Sequence, residues 1–423
     1  TMVGMKTQEV TLKNQTELNI IMQHETSEMD EVVITGYFNQ AKNSFTGAAR
    51  TITAEELQAG GNQNILSALQ NIDPSFVKLE NNQLGSNPNA IPDFQIRGAG
   101  SISGMRDEYS GNPNMPVFIV DGFETTAEKV FDMDPYRVAT ITLLKDAAAT
   151  AIYGSRASNG VVVITTTAPA SGKMAVSYNG DATFYMADLS AYNLCNPEEK
   201  LELEVLAGLY DVEKKQYFNY GSKFADQAVM QRAYNWRLAN IREPLNSLTV
   251  AHKHSLRLDG GNDYIRYAME VNYNNTPGVM KESGRERLGL GLELQYIYKN
   301  LTFRNQLNYS RVKATNSPYG SFSEYTRLNP YVKYKDEDGN YIYELEAEDR
   351  RSNTGSYKFF IYNPLYNTTL DVRDESRYND LTNLFGIDWQ IIEGLRLKGS
   401  FSFTLQNTSA DVFKPAKHTD FAT

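Results

Sequence analysis

The chain is poor in the residues that usually build disulfide frameworks and metal centres. Its 423 residues include one cysteine, Cys195, and four histidines. A single cysteine excludes an internal disulfide framework and any site with several cysteine ligands. Only His252 and His254 lie close together, on one face of a predicted strand and without a third ligand beside them. We therefore read them as solvated strand residues rather than a zinc site, and we expect no metal and no cofactor.

Positive charge and long apolar runs are also scarce. Acidic residues outnumber basic ones by 51 to 41, which gives a formal net charge of −10. This balance argues against general nucleic-acid binding, which needs a basic face. No run approaches the roughly 18 apolar residues of a membrane-spanning helix, and Thr1 opens no signal peptide. We recognise no catalytic triad and no carboxylate pair placed for hydrolysis, so we expect no enzyme.

The most informative stretch covers residues 137–167. Its β-rich start predicts a strand over 138–144. Asp146 stands where an N-cap belongs, and the six residues that follow it, 147–152, are nearly all good helix formers. A second strand over 161–166 is apolar enough to be buried on both faces.

Two glycines punctuate this stretch between the helix and the second strand. Gly154 is predicted to close the helix as a C′ residue in the left-handed region. Gly154 and Gly160 together bracket a Ser-Arg-rich turn, which raises the alternative of a phosphate loop. Phosphate loops place their glycines between a strand and a helix N-terminus, whereas here the glycines follow a helix and lead into a strand. The pattern therefore disfavours nucleotide binding.

Residues 144–166, LKDAAATAIYGSRASNGVVVITT, resemble the signature that closes the plug domain of SusC-like TonB-dependent outer-membrane transporters. Residues 96–98 and 116–122 also match plug motifs of that family. The resemblance implies an α+β plug domain followed by part of a large antiparallel transmembrane β-barrel, which in the family has about twenty-two strands. The plug-motif residues that it implies are Arg97, Gly98, Asp121, Gly122, Lys145, Asp146, Tyr153, Gly154, Arg156 and Gly160.

The same resemblance divides the chain in front of the plug. Residues 1–25, with two short strand-like runs, are similar to the end of a regulatory β-sandwich domain. Residues 26–40 correspond to the linker that carries the TonB box, although by pattern alone they predict an ordinary edge strand. A strand-forming segment on a tether suits capture by strand addition, in which backbone hydrogen bonds supply the affinity. The TonB-box residues implied are Asp30, Glu31, Val32, Val33, Ile34, Thr35 and Gly36.

Residues 41–170 are expected to form the plug as one compact domain. Thr53 and Glu56 have the spacing of a capping box, and a second amphipathic helix is stopped by Pro74. A loop over 99–114, rich in Gly, Ser and Asn, is either a ligand-facing apex or an unspecialised connection. The ligand-facing candidates in that loop are Arg106, Asp107, Glu108 and Tyr109.

From residue 171 to 423 the sequence predicts strands of about ten residues or more, the span of a tilted transmembrane strand. Apolar and polar residues alternate along them, as in 265–274. Short turns and long connections also alternate, which is typical of periplasmic turns and outer loops. The predicted strands are 174–185, 249–258, 264–274, 285–298, 301–313, 379–392 and 395–405.

About seven strands leave two open sheet edges, which lipid does not tolerate. We therefore expect the chain to be a piece of a longer protein, or its ordered part. In the last long connection, residues 336–340 look like a calcium loop at first sight. The spacing to a closing glutamate is wrong for an EF-hand, so the segment predicts a turn.

The resemblance implies gated import of a nutrient oligosaccharide across the outer membrane of a Gram-negative bacterium, with oligopeptides as the alternative cargo. The partners that it implies are TonB with its inner-membrane complex, a SusD-like surface lipoprotein and outer-membrane lipid. A non-transporting surface receptor and a secreted β-type carbohydrate-active enzyme are the rival readings. We also expect Arg97 to pair with a carboxylate, because an unpaired buried charge is costly. The partner lies either elsewhere in the plug or on the lumen face of the barrel, where Glu270 and Glu293 are candidates.

Overall fold

The computed structural model describes residues 32–34, 39–41, 48–61, 63–79, 87–96, 115–145, 150, 153–190, 192–207, 241–352 and 355–422. These residues form an N-terminal α+β unit and a large antiparallel sheet that follows it along the chain. Among them, no helix is long and apolar enough to cross a membrane.

Among the described residues, the N-terminal unit contains short strands and three short α-helices with described bounds. Its strands are β1 (Val32–Ile34), β2 (Asn39–Ala41), β3 (Ala49–Thr53), β4 (Val77–Lys78), β5 (Phe94–Gln95), β6 (Val117–Val120), β7 (Phe123–Thr125), β8 (Val138–Leu144) and β9 (Val161–Thr166). Its helices are α1 (Ala54–Gly60), α2 (Ile65–Ile72) and α3 (Ala127–Asp132). Five strands form one sheet in the order β3-β8-β9-β6-β7, in which only the β6–β9 pair is parallel.

The helix termini follow the local sequence as expected. Thr53 Oγ1 accepts from the Glu56 backbone N–H at 3.3 Å, and Glu56 Oε2 accepts from the Thr53 N–H at 3.0 Å, which confirms the capping box. Helix α2 begins after Asn64, whose side chain accepts from a backbone N–H in the first turn. It ends at Ile72, two residues before Pro74, because the residue before a proline is disfavoured in a helix.

The core of this unit lies between the sheet and the first two helices. Leu57 of α1 and Leu66 of α2 are buried against the sheet residues Phe118 and Ile141. Strand β9 is buried along almost its whole length, because helices cover one face and other plug segments cover the other. This confirms that the β-branched run 161–166 is an interior strand.

Gly154, which precedes the turn that leads into β9, differs from its expected backbone geometry. Gly154 has a positive φ of 72°, as the sequence predicts, but its ψ of −161° lies outside the left-handed helical region. It acts as the N-cap of a 3₁₀ helix over Ser155–Asn159, which replaces the simple turn predicted there. The left-handed helical geometry predicted for Gly154 is therefore wrong, and its predicted place at the C-terminus of the preceding helix stays a prediction, because residues 151 and 152 lie outside the described residues. The N-cap at Asp146 and most of the helix 147–152 lie outside the described residues.

The large sheet has seven strands, each paired antiparallel with its sequence neighbour within the sheet. They are β10 (Gly172–Tyr185), β11 (Thr249–Gly261), β12 (Ile265–Pro277), β13 (Gly284–Tyr298), β14 (Leu301–Thr315), β17 (Arg373–Ile392) and β18 (Leu395–Phe413). All seven predicted strands are confirmed. Several of these strands are longer than predicted at the end that leads into a long connection. The connection between β12 and β13 covers residues 278–283 and is shorter than expected.

Burial on this sheet is the reverse of that in a soluble protein. Met269 on one face of β12 is 52% exposed, whereas its neighbour Glu270 on the other face is 7% exposed. The polar face is covered by the N-terminal unit, and the exposed face is an apolar band of the kind that barrels present to lipid. His252 and His254 lie on this apolar side of β11, His254 exposed and His252 half-buried, and Tyr178 Oη is 2.6 Å from His254 Nδ1.

The connection between β14 and β17 folds into a small unit that the sequence did not predict. It contains a helix over Phe322–Arg327, a hairpin of β15 (Glu344–Ser352) and β16 (Gly355–Tyr362), and a 3₁₀ helix over Pro364–Thr369. Its apolar centre is buried around Tyr325. Residues 336–340 form the predicted turn, closed by a bridge between residues 335 and 341. A further helix, Pro197–Leu206, lies in the connection between β10 and β11.

Candidate functional site between the N-terminal unit and the sheet

Residues 127–137, comprising α3 and the 3₁₀ turn after it, lie against the polar face of the large sheet; we call them the docking segment. Its central contact is Asp132. This carboxylate accepts from Arg285 of β13 at 2.5 and 2.8 Å, lies 3.4 Å from the Arg287 guanidinium, and accepts from the Tyr378 hydroxyl of β17 at 2.5 Å. The Asp132, Arg285 and Arg287 side chains are all buried. One carboxylate thus pairs with two desolvated guanidinium groups, and Glu128 adds a second carboxylate 3.2 Å from Arg285.

A second set of pairs continues along the docking segment. The Lys253 ammonium of β11 lies 2.6 Å from Asp134 and 4.8 Å from the centre of the Tyr136 ring. The Tyr136 hydroxyl donates to Asp181 of β10 at 3.1 Å. Burial, and then the nearby Asp181 carboxylate, raises the pKa of Tyr136 to about 12, so this phenol stays a donor at neutral pH. At the other end of the segment, Lys129 lies 2.6 Å from Asp380 of β17.

The docking segment ends at Arg137, which contacts two strands of the sheet. Its guanidinium lies 3.2 Å from Glu270 of β12 and donates to Asn308 of β14 at 2.5 Å. Glu293 is engaged by Arg304 at 2.7 Å within the sheet. Both carboxylates that the sequence offered to Arg97 therefore hold other arginines, while Arg97 itself lies outside the described residues. The pairing of Arg97 stays a prediction.

Two plug-motif residues at the β6–β7 hairpin fix the far end of β9. Asp121 and Gly122 have φ of 48° and 87°, the two positive values that a type I′ hairpin turn needs. The Asp121 carboxylate accepts from the Thr166 backbone N–H at 3.0 Å and from its hydroxyl at 2.6 Å. The Thr166 hydroxyl oxygen in turn accepts from Arg304 at 3.3 Å and from Gln306 at 3.2 Å. The turn therefore connects directly to the wall of the sheet.

Lys145 has a structural role inside the N-terminal unit. Its ammonium lies 2.7 Å from Asp73, which is only 2% exposed and also accepts from the Ser75 hydroxyl and backbone N–H. Arg50 lies 3.5 Å away on the solvent side. Burial tends to raise the pKa of Asp73, but the hydrogen bonds from Lys145 and Ser75 outweigh it and hold the pKa below its usual value. The site ties the end of α2 to the end of β8.

Replacing Asp73 should give a pH-dependent loss of stability. An aspartate whose folded-state pKa lies below its unfolded value of about 3.9 stabilises the fold above that pH, and loses this contribution as the pH falls through the folded-state pKa. We expect Asp73→Asn to lower the free energy of unfolding by about 1–3 kcal/mol at pH 7 and by much less near pH 3. Denaturant unfolding of the full-length protein in detergent at the two pH values measures this. Glu55→Gln, on the first turn of α1, is the control, and an equal loss at both pH values would contradict the account.

The remaining plug-motif residues fall into two groups. Gly160 has φ of 97°, and a Cβ there would lie 3.0 Å from Ile96 Cδ1, so a glycine is needed both for the conformation and for the close approach. Tyr153 packs against the apolar cluster around Val161. The others lie outside what the structure describes, either entirely (Arg97, Gly98, Asp146 and the loop residues Arg106, Asp107, Glu108 and Tyr109) or in the side chain (Arg156).

The segment expected to be the TonB box is partly described. Val32–Ile34 forms strand β1 and pairs antiparallel with β2, with Val33 opposite Gln40. Asp30, Glu31, Thr35 and Gly36 lie outside the described residues. The β-branched residues 32–34 therefore form a strand, as their sequence predicts. In this structure the partner strand, β2, belongs to the same chain.

Two cavities lie near the outer ends of the strands, the ends that carry the long connections. One, of about 520 Å³, separates α2 and the 87–92 loop from strands β10 to β12. The other, of about 490 Å³, lies above it between the connections after β10, β12 and β14. The two share lining residues Asn87, Tyr192 and Val279, so they adjoin. Among the described residues, no group of three or more His, Cys, Asp or Glu side chains could hold a metal ion.

Sequence reasoning missed the docking segment, although a signal was present. Its ten residues 128–137 carry five charged side chains of both signs, which is a high density for a segment that packs against the rest of the protein. The polar faces of β11 to β13 carry the opposite charges at Lys253, Glu270, Arg285 and Arg287. Pairing the charges of the docking segment with the opposite charges of the sheet would have predicted that the two lie in contact.

Comparison with known proteins agrees with this architecture. Residues 41–161 match the family model of the TonB-dependent Receptor Plug Domain. TonB-dependent receptor P39 of Formosa agariphila is 25% identical over 98% of this chain, and TonB-dependent receptor SusC of Bacteroides thetaiotaomicron is 29% identical over 69% of it. The chain spans 36% of the length of P39 and 27% of that of SusC. The RagAB peptide importer in its open-open state has the same fold over 89% of this chain and 42% of its own, with a TM-score of 0.63 at 19% identity.

Residues 41–161 match the plug domain of TonB-dependent receptors, and ion pairs seat this unit on the polar face of an antiparallel sheet whose other face is apolar. Within that class the chain is SusC-like, and it carries the plug domain and the first barrel strands. The resemblance read from residues 144–166 is thereby confirmed.

Proposed function

We propose that the protein to which this chain belongs imports a nutrient oligosaccharide across the outer membrane of a Gram-negative bacterium, driven by TonB. The observation that carries this proposal is the buried ion-pair contact between the docking segment and the sheet. Moving the plug away from the sheet would separate these buried pairs and leave uncompensated charges, which is costly, so we infer that the plug does not move aside on its own. The outer membrane holds no ATP, and the work of moving the plug must arrive through a partner that pulls from the periplasm.

We place the handle for that pull at the TonB box, Asp30 to Gly36, within a linker over 26–40. On this proposal, β1 leaves its partner β2 and adds to the edge of a TonB sheet, which its β-branched residues favour. The plug would then cover 41–170, the barrel part would begin at 171, and residues 1–25 would end a regulatory sandwich. A SusD-like lipoprotein would close the outer mouth.

The cargo class can be tested without knowing the cargo. A strain that lacks the full-length protein is compared with its parent for growth on purified oligosaccharides and on peptides as sole nutrients. We expect lost growth on at least one oligosaccharide and normal growth on peptides. Lost growth on peptides alone would support the alternative function, peptide import. The similarity in fold to the RagAB peptide importer is the reason for testing it. Unchanged growth on every nutrient would favour a surface receptor that does not transport.

A further inference from the structure

The exposed face of the large sheet changes from apolar to charged near the outer ends of β14 and β17. Alternate residues of a strand share a face, and directly paired residues of neighbouring strands share it too. On β14 the buried positions include Gln306 and Val312. The exposed face of β14 carries, in order, Leu301, Phe303, Asn305, Leu307, Tyr309, Arg311 and Lys313. On β17 the same face carries Arg377 directly opposite Lys313, and its last apolar residue toward this end is Leu381.

The length of the apolar part matches the hydrocarbon layer of an outer membrane. Residues 301–309 of β14 cover about 30 Å of strand, which is about 23 Å across the membrane at a tilt of about 40°. Transmembrane barrels present an outward apolar band about 25 Å tall. On the proposed location, Arg311 therefore lies where the hydrocarbon ends and the headgroups of the outer leaflet begin.

Three cations form one group at this boundary: Arg311, Lys313 and Arg377, which we call the cation cluster. Lys313 and Arg377 are a direct cross-strand pair, so their Cβ atoms are about 4.5–5.5 Å apart and their charges repel each other. Glu375 relieves this repulsion, since its carboxylate lies 3.1 Å from the Lys313 ammonium and accepts from Arg377 at 2.9 Å. Arg311 lies two residues from Lys313 on the same face, so all three side chains can reach one small anion.

The cation cluster is accessible from outside the sheet. Arg311 is exposed, and the side chains of Lys313 and Arg377 are 32% and 47% exposed. Within the part of the chain that the structure describes, Arg311 forms no ion pair. Strands β14 and β17 each have a paired neighbour on both sides, so the cluster does not arise from an open sheet edge.

Positive charge is in excess at the cluster. Glu375 lies within it, and Glu286 lies opposite Lys313 on β13. Farther out on the same face, Arg373 and Asp411 pair at 3.0 Å and cancel each other. Three cations against two carboxylates leave a net positive charge, although the formal net charge of the whole chain is −10.

We propose that the cation cluster binds a phosphate group of the glycolipid in the outer leaflet, whose acyl chains lie along the apolar side chains below it. The inference rests on the outer-membrane location in the proposed function and goes beyond it, because it assigns a lipid site on the outside of the barrel. Guanidinium groups bind phosphate through paired hydrogen bonds, and an ammonium group adds a point charge.

The position and the charge of the cluster favour this occupant over a second copy of the chain. The cations lie directly above an apolar band, which is the arrangement of a phosphorylated headgroup above its acyl chains. Two copies related by a two-fold axis through this face would bring the same cations together, which is unfavourable.

The test is lipid retention by the purified full-length protein in detergent, with a chelator and without TonB. Native mass spectrometry counts the bound probe, which is lipid A with its phosphate groups, the same lipid A after dephosphorylation, or inorganic phosphate. The parent should retain the phosphorylated lipid at least about tenfold more tightly than the dephosphorylated one. Replacing the three cations together (Arg311→Gln, Lys313→Gln and Arg377→Gln) should abolish this difference.

Two single substitutions separate lipid binding from a purely structural role. Glu375→Gln should tighten retention of the phosphorylated lipid about threefold, because it removes a carboxylate that competes with phosphate. Ion pairs that only join β14 to β17 predict no such gain. Arg311→Gln breaks no ion pair among the described residues and should weaken retention about threefold, so it tests the site even if the triple variant does not fold.

The matched control removes three cations at the opposite ends of the strands, by Lys299→Gln, Arg396→Gln and Lys398→Gln, and should bind like the parent. Equal thermal unfolding of parent and variants shows that the variants are folded. Equal retention of both lipids by the parent would overturn the proposal. So would unchanged retention in the triple variant and in Arg311→Gln, weaker retention in Glu375→Gln, or displacement of the lipid by an equal concentration of inorganic phosphate.

The same spectra separate this site from its alternatives. A dimer of the parent that the triple variant lacks would assign the face to a second copy and overturn the lipid site. Because no uptake is measured, a protein that retains the lipid but does not import refutes the import function and leaves this site standing. Import by a protein that does not retain the lipid refutes only the site.

Discussion

Deleting residues 30–37 from the full-length protein should reduce uptake to background while the protein stays folded, inserted and able to bind its ligand. The deleted segment includes β1, whereas the contacts described above between the plug and the sheet come from other residues, chiefly 127–137 and 166. If the protein lacks this strand, TonB has no segment to bind by strand addition and cannot pull on the plug. Uptake of a radiolabelled oligosaccharide identified by the strain comparison measures the loss, and surface labelling with ligand binding measures what is kept.

A pair of substitutions makes the same test without a deletion. Val33→Pro removes a backbone N–H and should reduce uptake strongly, because proline cannot take part in a strand ladder. Val33→Thr keeps a β-branched residue and the N–H, and should import at close to the parental rate. Parental uptake by the deletion variant would show that the segment is not the energy-coupling handle.

Replacing Asp132 by asparagine should loosen the docking segment. The change keeps the shape and an acceptor for Tyr378 but removes the carboxylate that pairs with both buried arginines. Arg287 then loses this ion pair, and Arg285 keeps its contact with the half-exposed Glu128. Removing one partner of a buried ion pair typically costs about 3–5 kcal/mol. We expect much faster amide hydrogen exchange in α3 and its flanks, and greater sensitivity of cells to large antibiotics that leak past a displaced plug.

Glu128→Gln is the matched control for that variant. Glu128 also pairs with Arg285, at 3.2 Å, but its side chain is 43% exposed. An exposed pair contributes about 0–1 kcal/mol, so exchange and antibiotic sensitivity should stay near the parental values. If Asp132→Asn behaves like Glu128→Gln, the ion pairs of the docking segment do not hold the plug.

Local pattern predicted much of this fold because local chemistry decides it. The capping box at Thr53 needs only residues three apart, and the strands of the sheet follow from alternation that spans the whole of each strand. The β15–β16 hairpin was missed because it lies in a polar, charged segment whose pairing depends on the small core around Tyr325. The alternation of apolar and polar residues within one segment does not predict a core that is formed by distant segments.

The candidate site was predictable in part. The resemblance named Asp121, Lys145 and Gly160 as plug-motif residues without assigning them a role. In the structure they take part in a turn, an ion pair and a close approach, respectively. Asp132 was not found, because its partners Arg285 and Tyr378 are more than a hundred residues away and no spacing rule joins them. Contacts between a plug and its wall depend on tertiary structure.

The most direct test of the central claim is whether TonB contacts this segment in the intact membrane. The full-length protein would carry Cys195→Ser and a single cysteine in place of Val33, and TonB would carry single cysteines along the edge strand of its C-terminal domain. We predict a disulfide cross-link that forms at Val33 and is absent when the cysteine replaces Phe421, on the outer side. Cross-linking at neither position, or equally at both, with both proteins present and inserted, would contradict the account.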